Sequence, residues 1–391
     1  MPPTEANARG LAALEVGDLA SAVRYFETAV AVDPHAGSLW RNLAHALRLQ
    51  HDDAGERQAL ERALECNQRD ISALVRLAQL HERREERRDA MIRWDAVIQL
   101  GAGIEEPSPQ MAAFLDHALA YCKSEQAIIA EQVQGLLKPR IDRFDECSDR
   151  RARAFLDHVL GRRKVYQNNC AGLYYPFLPA DEFFDAGHFP WFSSLADLTE
   201  SIRDELIDLM AATGDVIRPY VRMDKGTSTN KWDSLNDNHN WSACFLWEYG
   251  KPNEAVLERC PATAAALAMV PGAQIPGRAP SAFFSMLSPH TRIPPHTGVT
   301  NTRAIIHLPL IVPPNCGFRV GGETREWVEG SPFAFDDTIE HEAWNDSDEM
   351  RAVLIFDVWN PHLSEEERAV IADYCLAIDN LTAPETADTM A

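Results

Sequence analysis

A spacing of 34 residues organises the first hundred residues of the chain. Small residues recur at this spacing, and so do bulky apolar residues. Helix ends are predicted near Asp33-Pro34, Asn67-Gln68 and Leu100-Gly101. A repeat of this length predicts paired helices that stack side by side, because a small residue on one helix lets a bulky residue of its partner pack closely. The recurring series are Gly10, Ala44 and Ala78; Phe26, Leu60 and Trp94; and Ala29, Ala63 and Val97.

This pattern resembles tetratricopeptide repeats, and the stretch 17–26 is similar to the turn and second helix of such a repeat. The second repeat departs from the usual pattern at Glu56, where a small residue is common. The resemblance implies an all-α solenoid over residues 1–105, followed by a helical cap or linker over 106–163. Solenoids offer a concave face to other polypeptides. The repeats are therefore expected to recruit a peptide or protein, or else to dimerise the chain or cover the next domain.

Composition excludes several classes of partner. The net charge is −22, so the chain should repel phosphate backbones, and we expect no nucleic-acid partner. No apolar run reaches the roughly 18 residues that cross a bilayer, and the N-terminus lacks the features of a secretory signal, so we expect a cytoplasmic protein without a membrane partner. The eight cysteines include no CxxC pair, which argues against a zinc ribbon or a disulfide framework. The sequence does not fix the oligomeric state.

From residue 164 onwards the pattern changes from helical to β-rich. Helices are predicted near 109–136 and 147–162, and an amphipathic helix is predicted at about 194–212. Short apolar runs separated by turn residues then predict strands, and a final helix is predicted near 364–379. Short strands at such spacing are typical of a β-sandwich or jelly roll. The predicted strands are 242–249, 282–287, 303–311, 317–320, 331–335 and 351–358.

Three residues of this β-rich region suggest chemistry. His296 and His341 are 45 positions apart, and Arg351 opens a very apolar strand. Imidazole is a suitable ligand for Fe(II), and non-heme iron oxygenases need protein ligands on one face of the metal so that the opposite face stays open. The guanidinium of an arginine pairs well with both oxygens of a carboxylate. From these residues alone, a metal site and a structural role for the histidines both remain open.

Residues 235–362 resemble the aspartyl/asparaginyl β-hydroxylase family of Fe(II)- and 2-oxoglutarate-dependent oxygenases, and the segment 175–209 is also similar to it. The similarity rests on motifs that follow one another in the family's order and spacing. These motifs are Trp241-Ser242, Ser285-Met286-Leu287, Pro295-His296-Thr297-Gly298 with Thr300-Asn301 and Arg303, Phe318-Arg319-Val320, Glu323-Thr324 with Trp327, Gly330, Phe335-Asp336-Asp337, His341-Glu342 with Trp344, and Arg351 through Phe356-Asp357-Val358-Trp359 to Pro361.

The resemblance implies an α+β multidomain chain in which residues 164–391 form a double-stranded β-helix of the jelly-roll, cupin-like kind. It implies a dioxygenase that uses Fe(II), 2-oxoglutarate and O2 to hydroxylate an unactivated C–H bond, on a peptide or protein side chain. The resemblance also implies catalytic, cofactor-binding or substrate-binding roles for seven residues. His296 and His341 are the implied iron ligands, Arg351 and Ser285 bind the distal carboxylate of 2-oxoglutarate, Trp241 lines that pocket, His307 contacts the co-substrate near the metal, and Arg303 lies near the substrate.

Some positions depart from what the chemistry or the family would suggest. Gly298 stands where the usual facial triad has a carboxylate, as it does in the β-hydroxylases, so the metal would have two protein ligands. Ile305 and Phe283 replace basic residues of the best-known members, which argues against an acidic substrate side chain. Asp336 and Asp337 are expected either to orient His341 or to form a simple turn.

Three rival interpretations remain open at this stage. The missing carboxylate leaves room for a halide, so the same scaffold could be a halogenase. A tetratricopeptide scaffold carrying an inactive oxygenase fold is a second rival, although His296, His341, Ser285 and Arg351 are all intact. A different metal-dependent jelly roll, such as a sugar isomerase, would leave Arg351 unexplained.

Overall fold

The computed structural model describes residues 1–212 and 216–382. The chain divides into two compact units, residues 1–152 and residues 153–391. The first unit is helical, and the second contains all the strands that the structure describes, together with shorter helices. None of the described helices is both long and apolar enough to cross a membrane.

Six helices of the first unit form three pairs with the predicted period. The first helices of the pairs begin at residues 3, 37 and 71, and the second helices begin at residues 19, 53 and 87, so both series recur every 34 residues. The structure therefore has the spacing that the tetratricopeptide resemblance predicts. The helices are α1 Pro3–Glu15, α2 Leu19–Val32, α3 Gly37–Leu49, α4 Asp53–Cys66, α5 Ile71–Arg83 and α6 Arg87–Gly101.

The turn inside each pair repeats as closely as the helices do. Gly17, His51 and Glu85 are 34 positions apart, and their φ angles are 77°, 63° and 58°. One residue in the left-handed region ends the first helix of each pair and starts the turn to the second. Because only the first of these residues is glycine, the repeated backbone shape is not visible from residue identity alone.

Close packing between paired helices explains the small-residue series. A Cβ added to Gly10 would lie 2.5 Å from Cε1 of Phe26. The second repeat has Ala44 and Leu60 at the equivalent positions, and these side chains are fully buried. A larger residue on one helix is therefore matched by a smaller one on its partner.

Two further helices follow the repeats where the sequence predicts them. They are α7 Pro109–Ile141 and α8 Glu146–Val159. Ala118 and Cys122 of α7 are buried in one cluster with Trp94 of α6, so α7 continues the packing of the repeats.

The second unit contains eleven described strands and five described α-helices. The predicted helix over 194–212 is present as two helices rather than one, because the chain turns at Asp197 and Leu198. The helices are α9 Phe192–Ala196, α10 Thr199–Ala211, α11 Glu254–Leu257, α12 Pro261–Met269 and α13 Glu365–Thr382. The strands are β1 Arg218–Pro219, β2 Trp241–Glu248, β3 Lys251–Pro252, β4 Ala282–Leu287, β5 Thr291–His296, β6 Arg303–Ile311, β7 Cys316–Val320, β8 Glu323–Glu326, β9 Phe333–Phe335, β10 His341–Asn345 and β11 Arg351–Trp359.

These strands form two antiparallel sheets. The larger sheet has the order β1-β2-β4-β11-β6-β9, with β3 also paired to β2. The smaller sheet has the order β5-β10-β7-β8. Strands β4 to β11 thus alternate between the sheets along the chain, apart from the hairpin β7-β8, which stays in the smaller one.

Alternation along β11 separates two cores. Ala352, Leu354 and Phe356 belong to the core that also holds Ile202 and Leu206 of α10. Val353 belongs to a second core, which contains residues of both sheets such as Leu287 of the larger one and Phe318 of the smaller one. Successive side chains of a strand point to opposite faces, so Arg351 and Ile355 also face the space between the sheets.

Each predicted strand is present, but β5, β8, β10 and the two-residue strands β1 and β3 were missed. β5 contains Pro294 and Pro295, which argue against a strand, yet β5 is at the edge of its sheet and an edge strand tolerates proline. β8 and β10 are short and contain several polar residues, so neither has the apolar run that would predict a strand. The short helices α11 and α12 were also missed.

The packing of Gly10 against Phe26 generates a double-mutant prediction. Gly10→Ala should lower the free energy of unfolding by about 1–3 kcal/mol, because the added methyl group overlaps the ring. Phe26→Leu in the same chain should recover most of that loss, since Ala with Leu is the combination of the second repeat. Urea unfolding measures both. Gly135→Ala in α7 is the control, because nothing lies within 4 Å of its added Cβ. Additive losses in the double mutant would contradict the prediction.

Candidate metal and carboxylate site

Strand pairing brings the two predicted ligands together. In the smaller sheet, β10 pairs with β5 so that His341 lies directly opposite His296. Their ring centroids are 4.0 Å apart. Directly opposed residues of antiparallel strands have neighbouring side chains on one face, so a separation of 45 positions in sequence becomes a contact.

Backbone carbonyls fix the orientation of both rings. Nδ1 of His296 is 2.8 Å from the carbonyl oxygen of Pro294, and Nδ1 of His341 is 2.9 Å from that of Ile339. A ring that donates from Nδ1 keeps the lone pair of Nε2 free for a metal. Burial lowers the pKa of His296, and burial together with the His296 ring lowers the pKa of His341 to about 3. Both rings are therefore neutral, which metal binding requires.

Arg351 is a buried cation without a counter-anion in the described part of the chain. Its side chain is 1% exposed, and neither Nε nor Nη1 has a hydrogen-bond partner. Its Cζ lies 5.1 Å from the centre of the Trp327 ring. Burial lowers the pKa of Arg351 to about 10. Burying an unpaired charge is costly, so a guanidinium in this state is suited to a ligand that brings its own carboxylate.

Ser285 and Trp241 lie on neighbouring strands beside Arg351. Indole Nε1 of Trp241 donates to Oγ of Ser285 over 3.1 Å, and both side chains are buried. Because that oxygen already accepts a hydrogen bond, the hydroxyl proton of Ser285 remains available to a ligand. Tyr220 stacks on the other side of Trp241, with 4.0 Å between the ring centroids.

His307 lies between the arginine and the histidine pair. Its ring stacks on Trp327 with 5.4 Å between centroids, and its Nδ1 has no partner among the described residues. Burial and the nearby charge of Arg351 lower the pKa of His307 well below its usual value. A neutral imidazole here can accept or donate a hydrogen bond to a ligand in the cavity.

One cavity of about 330 Å³ connects these groups. Its wall includes both histidines, Arg351, Ser285, Trp241 and His307, so six of the seven predicted site residues lie around one space. The remaining lining is mostly aromatic and aliphatic. The other lining residues are Tyr220, Trp232, Phe283, Ile293, Thr297, Gly298, Val299, Ile305, Phe318, Trp327, Phe335, Asp337, Ala343 and Ile355.

Arg303 is the predicted residue that the structure places elsewhere. Its guanidinium pairs with the carboxylate of Asp357 and also donates to the carbonyl oxygen of Arg278 over 3.4 Å. It lines a neighbouring cavity of about 490 Å³, and Val299 contributes to both cavities. A guanidinium whose charge is already compensated is less suited to bind an anionic substrate group.

The carboxylates of the two aspartates contact groups other than the His341 ring. The carboxylate of Asp336 accepts hydrogen bonds from Asn168 and from Thr338, so Asp336 is a turn residue. The carboxylate of Asp337 lies against Gly298, and a Cβ added at Gly298 would overlap it. Asp337 therefore fills the space that a carboxylate carried by residue 298 would use. Burial and the neighbouring Asp336 raise the pKa of Asp337 to about 7.

Sequence reasoning also missed an aromatic neighbour of His296. Trp232 meets His296 edge to face, with 5.1 Å between the ring centroids, and it comes from the loop before β2. Lys231 next to it donates to the carbonyl oxygen of Pro295 over 2.8 Å. No local pattern marks that loop, because its residues reach β5 only through the tertiary fold. The presence of Tyr220 beside Trp241 was equally hidden.

Comparison with known proteins identifies the relatives of the second unit. Residues 197–361 match the family described as aspartyl/asparaginyl β-hydroxylase. The mouse protein of that name is 37% identical over 146 residues, which is 37% of this chain and 19% of the mouse protein. The ornithine lipid ester-linked acyl 2-hydroxylase of Rhizobium tropici is 33% identical over 181 residues, which is 46% of this chain and 60% of that protein. This chain thus spans about a fifth of the mouse relative.

The first unit is similar to solved helical-repeat domains. The TPR2B domain of yeast Sti1, solved in a complex with pHsp70, aligns with a TM-score of 0.29 and 20% identity over 32% of this chain and 97% of that one. The match over residues 197–361 and the mouse relative have the same description, and the Rhizobium relative is described as a different hydroxylase. Through that unit, this chain is similar to the aspartyl/asparaginyl β-hydroxylase family.

Proposed function

We propose that this protein is an Fe(II)- and 2-oxoglutarate-dependent dioxygenase that hydroxylates an unactivated C–H bond on a peptide or protein side chain. The single observation that carries the proposal is the buried, unpaired Arg351 in the same cavity as His296 and His341. A metal-binding pair of imidazoles and a carboxylate-binding guanidinium are the two requirements of a 2-oxoglutarate site. The relatives' names, which describe hydroxylases, support the same reaction type.

The strand order supports a double-stranded β-helix as the scaffold. Two antiparallel sheets face each other, and β4 to β11 exchange between them along the chain. In such an arrangement the cavity between the sheets is reached from one end. The ligand pair comes from the smaller sheet, whereas Arg351, Ser285 and Trp241 come from the larger one.

The residues of the cavity fit the proposed metal and co-substrate. His296 and His341 would hold Fe(II) through Nε2, because Nδ1 of each ring is engaged with a carbonyl. Arg351 would bind the distal carboxylate of 2-oxoglutarate with two parallel hydrogen bonds, and Ser285 would donate a third. When bound, Fe(II) would supply activation of O2, with 2-oxoglutarate as the two-electron reductant, so that R–H, O2 and 2-oxoglutarate give R–OH, succinate and carbon dioxide.

The chain itself contributes binding, orientation and exclusion of water. His307 and Trp327 line the space between the carboxylate anchor and the histidines, so they would position the co-substrate from the side. The aromatic and aliphatic lining keeps the reacting atoms apart from solvent, which protects an oxidising site from side reactions. Ile305 and Phe283 add no positive charge near the opening, so an uncharged substrate group fits better than a carboxylate.

The position of Asp337 favours hydroxylation over halogenation. A halogenase of this type needs an open metal position for a halide. Here the space beside Gly298 is occupied by the Asp337 side chain. A carboxyl group at that place can hold a water molecule by hydrogen bonding but leaves little room for chloride or bromide.

Opposite effects on stability and on ligand binding are expected for Arg351→Met. Removing a buried unpaired charge should raise the melting temperature of the ligand-free protein, because an apolar side chain of similar length avoids the desolvation cost. The same substitution should abolish the rise in melting temperature that 2-oxoglutarate and Mn²⁺ cause in the parent. Arg292→Met is the control, since Arg292 is exposed and pairs with Asp346. A variant that still responds to 2-oxoglutarate would refute the carboxylate-binding role.

Loss of product is expected for His341→Ala. Parent protein with Fe(II), 2-oxoglutarate and candidate peptides should give products heavier by one oxygen atom in mass spectrometry, and the variant should give none, because half of the ligand pair is lost. His290→Ala serves as the control, because His290 is exposed and pairs with Asp348. Product formation by His341→Ala at the parent rate would show that the metal site lies elsewhere.

Steric conflict at Gly298 gives a third prediction. Gly298→Ala should lower the free energy of unfolding by about 1–3 kcal/mol and weaken metal binding, because the new methyl group displaces the Asp337 carboxylate. Asp337→Gly in the same chain should restore most of the stability but not the metal affinity. Isothermal titration with Mn²⁺ and thermal melting measure the two effects. Unchanged stability in Gly298→Ala would mean that Asp337 does not occupy this space.

A further inference from the structure

Arg319 lies on the outer face of the smaller sheet, behind the proposed metal ligand His341. Buried and partly exposed residues alternate along β10, and His341 is buried whereas Glu342 is partly exposed. Arg319 is the partly exposed residue of β7, and the register sets it directly opposite Glu342. Successive side chains of a strand point to opposite faces. Arg319 and Glu342 therefore point away from the cavity that His341 lines.

All three guanidinium nitrogens of Arg319 have partners close to His341. Nε donates to the carboxylate of Glu342, and Nη2 donates to Oε1 of Glu340 over 2.9 Å. Nη1 donates to the carbonyl oxygen of Gly321 over 2.7 Å. Glu340 and Glu342 are the residues immediately before and after His341. We call Arg319, Glu340 and Glu342 the arginine bridge, because one side chain holds the chain on both sides of a proposed ligand.

The strand on the other side of β10 gives less support at this point. Immediately after His341 the pairing of β10 with β5 is irregular. Two consecutive residues of β5, Pro294 and Pro295, lie across from the single residue Glu342. Proline has no N–H to donate to a neighbouring strand, and a bulge of this kind interrupts the ladder locally. The position of Glu342 therefore depends more on β7 and the arginine bridge than on β5.

The orientation of the His341 ring depends on the backbone that the arginine bridge holds. Nδ1 of His341 is 2.9 Å from the carbonyl oxygen of Ile339, the residue before Glu340. The carbonyl oxygen of Glu340 in turn accepts a hydrogen bond from the N–H of Gly321 over 2.8 Å. A shift of the chain at Glu340 would move the Ile339 carbonyl relative to the ring. The direction of Nε2 would then change, since the partner of one ring nitrogen sets how the other nitrogen points.

We propose that Arg319 is a positioning residue for the metal site: through Glu340 and Glu342 it fixes the backbone around His341 and thereby the direction of Nε2. This inference rests on the proposed function, because it assumes that His341 binds a metal ion. The charge of Arg319 does not itself assist metal binding, since a cation behind a ligand repels a divalent metal ion. Loss of positioning and loss of the charge therefore have opposite effects on metal affinity.

The metal affinity of Arg319 variants tests the proposal. In isothermal titration of the full-length chain, Arg319→Met should bind Mn²⁺ at least about tenfold more weakly than the parent, because loss of a group that orients a ligand has an effect of this size. Arg319→Lys should also bind more weakly, since lysine keeps the charge but lacks the rigid fork that reaches both glutamates. Arg292→Met is the matched control. Arg292 pairs with Asp346 beyond the other end of β10, so this variant should change the affinity by less than about twofold.

A mutant cycle shows whether Arg319 acts through the two glutamates. In the background Glu340→Gln/Glu342→Gln the bridge has lost both carboxylates, so adding Arg319→Met should weaken Mn²⁺ binding by less than about a further twofold. A loss as large as in the parent background would overturn the proposal. So would unchanged or tighter binding in Arg319→Met, or an equal loss in Arg292→Met. If Arg319→Met does not fold, Arg319→Lys takes its place, and parental affinity in that variant would overturn the proposal.

Ring signals of the metal-free protein provide a second readout. In long-range proton–nitrogen NMR spectra, His341 of the parent should have its proton on Nδ1, and its signals are assigned by their absence in His341→Ala. They should shift or broaden in Arg319→Met, because the ring is no longer held in one orientation, and they should stay as in the parent in Arg292→Met. Failure of the parent to bind Mn²⁺ would overturn the metal site and this inference together. Normal binding by the parent, with unchanged His341 signals in Arg319→Met, would overturn this inference alone.

Discussion

The pairing of β5 with β10 is the constraint on which the candidate site depends. It places His296 across from His341 at the edge of the smaller sheet, and it fixes which face of that sheet borders the cavity. The larger sheet supplies the opposite wall, where pairing of β11 with β4 sets Val353 opposite Ser285 and thereby brings Ser285 near Arg351. Each wall alone has an incomplete set of groups. The chemistry that we propose requires both registers at once.

An uncompensated charge distinguishes Arg351 from the arginines that form ion pairs. Arg351 is buried, and within the described residues its Nε and Nη1 have no hydrogen-bond partner. In most of the described ion pairs of this acidic protein, an arginine meets a carboxylate that neutralises it, as Arg303 meets Asp357. Positions where compensation is missing cost stability in the free protein. Such positions identify where a charged ligand would bind, because the ligand supplies the opposite charge that the chain lacks.

Much of this architecture could be predicted from sequence, and the reasons differ between the units. The helical repeats follow from a 34-residue period, since Phe26, Leu60 and Trp94 recur in equivalent buried places. The long strands β4, β6 and β11 could also be predicted, because they are buried and their residues are therefore mostly apolar. Family resemblance, rather than spacing, singled out His296, His341, Arg351, Ser285, Trp241 and His307. The contribution of Asp337 could not be predicted, because it depends on a side chain entering the space left by a glycine that is 39 positions away in sequence. The placement of Trp232 depends likewise on a tertiary contact.

The constancy of the repeat has a consequence for how this chain can change in length. Because the helix starts and the left-handed turn recur with the same offset, an insertion or deletion of one whole 34-residue unit preserves the helix pairing and turns of its neighbours. The sheets have no such freedom. One residue inserted within β5 would reverse the faces of the side chains on one side of the insertion and move His296 away from His341. The number of repeats can therefore vary, whereas the cavity tolerates substitution of its lining but not a change of register.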